Sequence, residues 1–106
     1  MKMYIAVLDS FPDYMVPTLV AHAVLGAHIA FEDSDAYRYW WKNSFKKCVL
    51  RVNHKEFEKI LKLDNVYLAH ENNTLNGEKA CAVVCPRFLN PNVLKFAKLW
   101  SPKYED

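Results

Sequence analysis

The sequence predicts an α/β fold, with helices packed on a mostly parallel sheet. Three observations predict it. Short apolar runs alternate with segments of helical periodicity, the pattern of strand–helix–strand units. The first run, Met3–Leu8, is apolar throughout and does not alternate, as expected of a strand covered on both faces. Only 2 of the 106 residues are glycine, too few for a turn-rich all-β chain. That length supports one domain over residues 1–106. A composition that is 52% hydrophobic and 14% aromatic excludes a disordered chain. The net charge of +2 permits a nucleic-acid partner without requiring one.

Asp9 to Pro12 ends the first strand. Pro17 suits a first helical turn, where its missing N–H is not needed, so a long helix starts near it and runs to Phe31. Leu19, Val20, Ala23, Val24, Ala27 and Phe31 recur at three and four and form one wide apolar face. Leu25 and Ile29 point nearly the opposite way. A helix apolar on two sides needs a second cover, either the next helix or a partner subunit. Asp33 or Ser34 caps a second helix over 34–43, rich in aromatic and basic residues. Lys46–Val52 is the second strand. Asn53 and Glu56 have capping-box spacing and open a short helix with Phe57, Ile60 and Leu61 inward. Val66–His70 is the third strand, ENNTLNGEK a turn-rich loop, and Ala80–Cys85 the fourth strand, stopped by Pro86. With no helix between the last two, the fourth strand is expected to run antiparallel to the third. Asn90 caps a last helix with Val93, Phe96, Ala97 and Trp100 on its buried face.

Three cysteines without a CxxC read as buried reduced thiols. Cys81 and Cys85 on one strand stand about 13 Å apart, too far to bridge. This suits a cytoplasmic protein. No run of about 18 apolar residues is seen, so no membrane span is expected, and the start is too short and too soon acidic for a signal peptide.

Ligands of open α/β sheets gather beyond the carboxyl ends of the parallel strands. There the sequence places Asp9, Ser10 and Asp13, then Thr18 and His22 at the start of the long helix. Glu71 and Thr74 after the third strand join them, with Glu78 and Lys79 at the start of the fourth. Asp9, Glu71 and Glu78 are candidate general bases or water-positioning groups. The competing reading is a set of solvated or capping carboxylates. His22 is either a site residue or a packed histidine bonded to a nearby loop. His22 and His28 point in different directions and no cluster has ligand spacing, so no metal is expected. On the second helix, Tyr37, Trp40 and Trp41 interleave with Arg38, Lys42, Lys46 and Lys47. This suits base stacking and phosphate contact, or equally cover for the long helix or a dimer contact.

In VAHAVL, Ala21, His22 and Ala23 match the "Q-x-A-H-A" helix of the type 2 peptidyl-tRNA hydrolases. Asn76-Gly77-Glu78 followed by ACAVVCP is similar to that family's "PGT" turn, fourth strand and closing Gly-Pro, with Gly77 and Pro86 matching. With the order of elements, the chain resembles a divergent branch of the family. The resemblance implies a three-layer α/β/α sandwich on a four-stranded mixed sheet, in the order β-α-α-β-α-β-β-α. It also implies a homodimer, for which Leu25, Ile29 and the 34–43 helix are the expected contact, and no cofactor. The family's lysine, seven residues before the histidine, is here Met15; its glutamine is Leu19, and the threonine of its "PGT" turn is Glu78. Glu71 best matches the acid of its "D-A-G-R-T" loop, and Thr74 stands in for the threonine. A methionine where a cation would meet the tRNA suits a polyanion badly.

The leading expectation is therefore a non-hydrolytic member that binds a small ligand, RNA or protein. The alternative is a peptidyl-tRNA hydrolase. In it, water attacks the ester between peptide and tRNA, Glu71 or Asp9 positions the water, and His22 or Thr74 holds the substrate beside Thr18, Glu78 and Lys79. A third reading, a different chemistry on the same fold, would show His22 hydrogen-bonded to Glu71 or Asp9.

Overall fold

A computed structural model describes residues 1–71 and 78–103, with every side chain but that of Glu71. The elements are β1 (Lys2–Leu8), a 3-10 turn (Asp13–Met15), α1 (Val16–Phe31), α2 (Asp35–Asn43), β2 (Lys46–Val52), α3 (His54–Leu61), β3 (Val66–Glu71), β4 (Glu78–Arg87), α4 (Asn92–Lys95) and β5 (Lys98–Leu99). They form an α/β structure with a mixed open sheet of order β3-β4-β1-β2-β5. β1 and β2 are parallel, while β4 is antiparallel to both β1 and β3. β1, β2 and β3 therefore point one way, and the antiparallel β3–β4 pairing is as expected. Of the expected turn-rich loop at 71–79, Glu71 instead ends β3 and Glu78 and Lys79 open β4, while residues 72–77, with Thr74 and Gly77, lie outside the described residues.

Local signals account for most boundaries. Pro17 sits in the first turn of α1. Ser34 caps α2, its hydroxyl accepting the Tyr37 N–H. Asn53 and Glu56 close a reciprocal capping box on α3. β4 is buried at every position from Ala80 to Pro86. Since successive residues face opposite sides, both faces of the sheet are covered there. α1 approaches β3 through Gly26, where an added Cβ would run into the Tyr67 hydroxyl and ring. Trp40 and Phe57 are the largest fully buried side chains. Trp40 keeps its indole N–H satisfied by donating to the Lys46 carbonyl at 2.8 Å.

Four expectations are corrected here. The described residues form five strands rather than four, because Lys98–Leu99 pairs antiparallel with β2. The last helix is a single turn, and Phe96, expected inward, is 80% exposed. Asn90 does not cap it; Pro91 holds that position without a side-chain bond. A one-turn helix has little intrinsic stability. Pairing with the free edge of β2, including Trp100 N–H to the Val49 carbonyl at 2.8 Å, takes the chain over. Pro86 does not stop β4, which continues to Arg87. The β1–β4 register jumps between Tyr4↔Val84 and Lys2↔Arg87, so Pro86 lies in a bulge, where its missing N–H is tolerated. Finally, Cys81 and Cys85 are buried but Cys48 is half-buried; all three are free.

Candidate functional site

β1, β2 and β3 end, and β4 begins, at one edge of the sheet. A crevice of about 280 Å³ opens there, with Leu8, Phe11 and Phe57 as its apolar lining. Ser10, His54, Glu58, Glu78 and Lys79 supply its polar groups. His54 and Glu58 are one turn apart on α3, and the Lys79 ammonium stands 3.8 Å from the Glu58 carboxylate. Both partners are half-exposed, so this pair adds little stability.

Of the residues expected at this edge, Glu78 and Lys79 line the crevice. Asp9, Thr18 and His22 are exposed and do not line it. Glu71 is described only by its backbone, paired in register with Glu78, and Thr74 lies outside the described residues. His22 makes no side-chain hydrogen bond among the described residues, so the packed-histidine reading is corrected: its position on α1 faces water. His54 and Glu58 were not anticipated. The Asn53 capping box pointed to them, since it starts a helix where β2 ends, at the same edge as β1. The crevice holds a hydroxyl, an imidazole, two carboxylates and an amine, enough to orient a small polar group. Among the described residues, Ser10 and His54 share no hydrogen bond, as an activated nucleophile and its base would. No three His, Cys, Asp or Glu side chains among the described residues come together as metal ligands.

Near the start of α1 a cation, Arg51, meets Asp13. Its guanidinium donates to the Asp13 carboxylate at 3.0 Å and to the Ser101 carbonyl at 2.7 Å, and its side chain is 9% exposed. The Lys103 N–H also donates to Asp13. That bond, aided by Arg51, holds the Asp13 carboxyl below its usual range. This cation ties the C-terminal segment to the turn before α1, two residues from Met15, and is not free for a ligand.

A second concavity runs between α1 and α2. Two hollows, of about 260 and 210 Å³, share His28, Tyr37 and Trp41. The larger is lined also by Val24, Leu25, Trp40, Phe45 and Lys47. His28 Nδ1 and the Tyr37 hydroxyl share a hydrogen bond of 2.9 Å; burial pushes the Tyr37 pKa up. Tyr37 and Trp40 are thus core residues, while Trp41 is 50% exposed. Beside this groove, Leu25 is 71% and Ile29 73% exposed. α1 carries no Asp, Glu, Lys or Arg along its 16 residues. Asp13–Phe31 forms a helical stretch of 19 residues with mean hydropathy 1.5, long and apolar enough to cross a membrane. The expectation of no membrane span rested on the lack of an unbroken apolar run; His22, Gly26 and His28 do interrupt it, but the valines, leucines, isoleucine, alanines and phenylalanine around them keep the mean hydropathy high. Here its inner face packs on the sheet.

Neither models of known protein families nor the curated proteins give a significant match to this sequence.

Proposed function

We propose that the chain is a non-hydrolytic binding domain on a three-layer α/β/α fold of the type 2 peptidyl-tRNA hydrolase kind, and that it works as a homodimer joined through the outer face of α1. The observation that carries this reading is a charge-free helix with Leu25 and Ile29 mostly exposed. A solvent-facing helix side normally carries charged residues. With Trp41 and Phe45, these side chains present on the order of 500 Å² of apolar surface, the upper end of what monomers expose. A second copy fits this face. The protruding Leu25 and Ile29 lie beside the apolar hollow, so the patch offers both a knob and a hole and is self-complementary about a two-fold axis. Two uncharged helices can also approach without charge repulsion.

The hydrolytic alternative needs Asp9, Glu71 and His22 to converge. Asp9 and His22 are exposed and lie outside the crevice of Ser10, His54, Glu58, Glu78 and Lys79 among the described residues. Sedimentation velocity tests the proposal. Wild-type protein should sediment as a dimer at micromolar concentration, and Leu25→Glu with Ile29→Glu as a folded monomer. A wild-type monomer throughout the micromolar range contradicts the proposal.

A further inference from the structure

The opposite edge of the sheet, where β1 and β2 start and β4 ends, gathers cations and exposed rings. Lys2 has Lys46 as its register neighbour on β2 and Arg87 on β4. Three cationic residues thus stand side by side across three strands, an arrangement that costs stability unless an anion is present. Lys42, at the end of α2, and Lys47, next to Lys46 on β2, follow in sequence but also line the hollows between α1 and α2. The segment from Ala36 to Lys55 holds six Lys or Arg and no Asp or Glu, although the whole chain is only +2. Asp64, on the turn before β3, is an acidic residue at this end; its carbonyl accepts the Arg87 guanidinium.

Aromatic rings stand between these cations. Tyr39 and Phe88 are in contact at 5.6 Å between ring centroids and are 49% and 72% exposed. Phe45 is 50% exposed, and the Lys47 ammonium lies 3.1 Å from its ring centroid. Phe45 also has φ 61°, a left-handed conformation that suits glycine and is strained for a phenylalanine.

We propose that this edge binds single-stranded nucleic acid. The cations Lys2, Lys42, Lys46 and Arg87 meet successive phosphates, and Tyr39 and Phe88 offer stacking faces to bases. A duplex keeps its bases stacked and cannot use the rings. Alternation of rings with cations, rather than a continuous aliphatic surface, favours this partner over an anionic lipid surface. The edge lies away from the crevice at the carboxyl ends of the strands. Phe45 borders the α1–α2 hollow that the proposed dimer would cover, so the inference rests on Tyr39, Phe88 and the cations Lys2, Lys46 and Arg87, which line neither that hollow nor the crevice.

Fluorescence anisotropy with a labelled oligouridine dodecamer, the matching RNA duplex, and vesicles containing phosphatidylserine tests it. The single strand should bind more tightly than the duplex, with affinity falling linearly in log–log against salt. Lys42→Glu with Lys46→Glu should weaken binding roughly tenfold or more, with a shallower salt slope. Tyr39→Leu and Phe88→Leu should each cost roughly fivefold or more for the single strand and leave the duplex unchanged. Thermal melts of each variant confirm folding, and Lys46→Glu alone, which leaves α2 untouched, gives the charge effect a second reading. Equal affinity for duplex and single strand, unchanged binding by the folded charge-reversed variants, or binding to the vesicles but not to the oligonucleotide overturns the proposal.

Discussion

Replacing Lys46 with glutamate should make the protein more stable. Lys46 sits in register beside Lys2, which already has Arg87 on its other side. Its side chain is exposed, and its contribution to the fold is made by the backbone, whose carbonyl accepts the Trp40 indole N–H. The substitution leaves that bond intact. It turns a like-charge neighbour into an opposite one, and cross-strand pairs of this kind differ by about 0.2–1 kcal/mol. Solvent exposure keeps the gain toward the lower half of that range. For a domain of this size, about 0.5 kcal/mol corresponds to a rise of roughly 2–4 °C in melting temperature. Thermal denaturation followed by far-UV circular dichroism in low salt measures it. Repetition near 1 M salt, where the screening length is about 3 Å, should remove most of the rise. Lys46→Gln should give an intermediate value and controls for the change in side-chain shape. A Lys46→Glu melt below wild type in low salt, or a rise equally large at 1 M salt, refutes the reasoning that cations are crowded at this edge.

Gly26→Ala should destabilise by about 1–3 kcal/mol through the clash with the Tyr67 ring. Urea denaturation should show that cost largely relieved when Tyr67→Leu is added. Trp40→Ala should lose about 3–5 kcal/mol in the same assay, since the ring is fully buried and its N–H is bonded. The folded Asp13 pKa lies below its ordinary value of 3.8. This carboxylate therefore contributes stability above that pH and loses it as pH falls through the lower folded value; Asp13→Asn should flatten the acid limb of a stability–pH curve. The Cys81 thiol is pushed up to about 12 by burial, so in native protein an aromatic disulfide reagent should modify half-buried Cys48 and spare Cys81. A model peptidyl-tRNA should show no turnover above buffer with metal-free protein; clear turnover that survives Leu25→Glu but not His22→Ala would favour the hydrolytic alternative.

The parts of the fold legible in the sequence were those written in local chemistry. The Asn53–Glu56 capping box, the Ser34 cap and Pro17 fix helix starts through bonds within four residues. The expected ends of β2 agree with the observed strand, Lys46–Val52, because turn and cap signals flank its apolar run. The segment after Pro91 was misread because its helical spacing competes with a long-range alternative, the free edge of β2, which no local pattern reveals. Pro86 was misread for the same reason, since the bulge that accommodates it is a property of the β1–β4 register. The candidate site was legible in part. Glu78 and Lys79 reached the expected edge, whereas His54 and Glu58 came from a strand end that had been read only as the start of a helix. Lys79 turned to Glu58 because β4 presents it toward α3. The two-sided character of α1 was visible from Leu25 and Ile29 alone; of the two covers expected for that side, the next helix does not supply one, since both residues are mostly exposed.

The central claim is that a second copy covers those two side chains. Solvent paramagnetic relaxation at the Leu25 and Ile29 methyl groups, measured by NMR across a concentration series, tests it most directly. The account predicts that both methyls become protected from a soluble paramagnetic probe as concentration rises through the micromolar range, while the exposed side chains of Phe96 and Leu99 on the far edge stay accessible. Methyl groups that remain fully accessible at every concentration, in protein that is folded, contradict it.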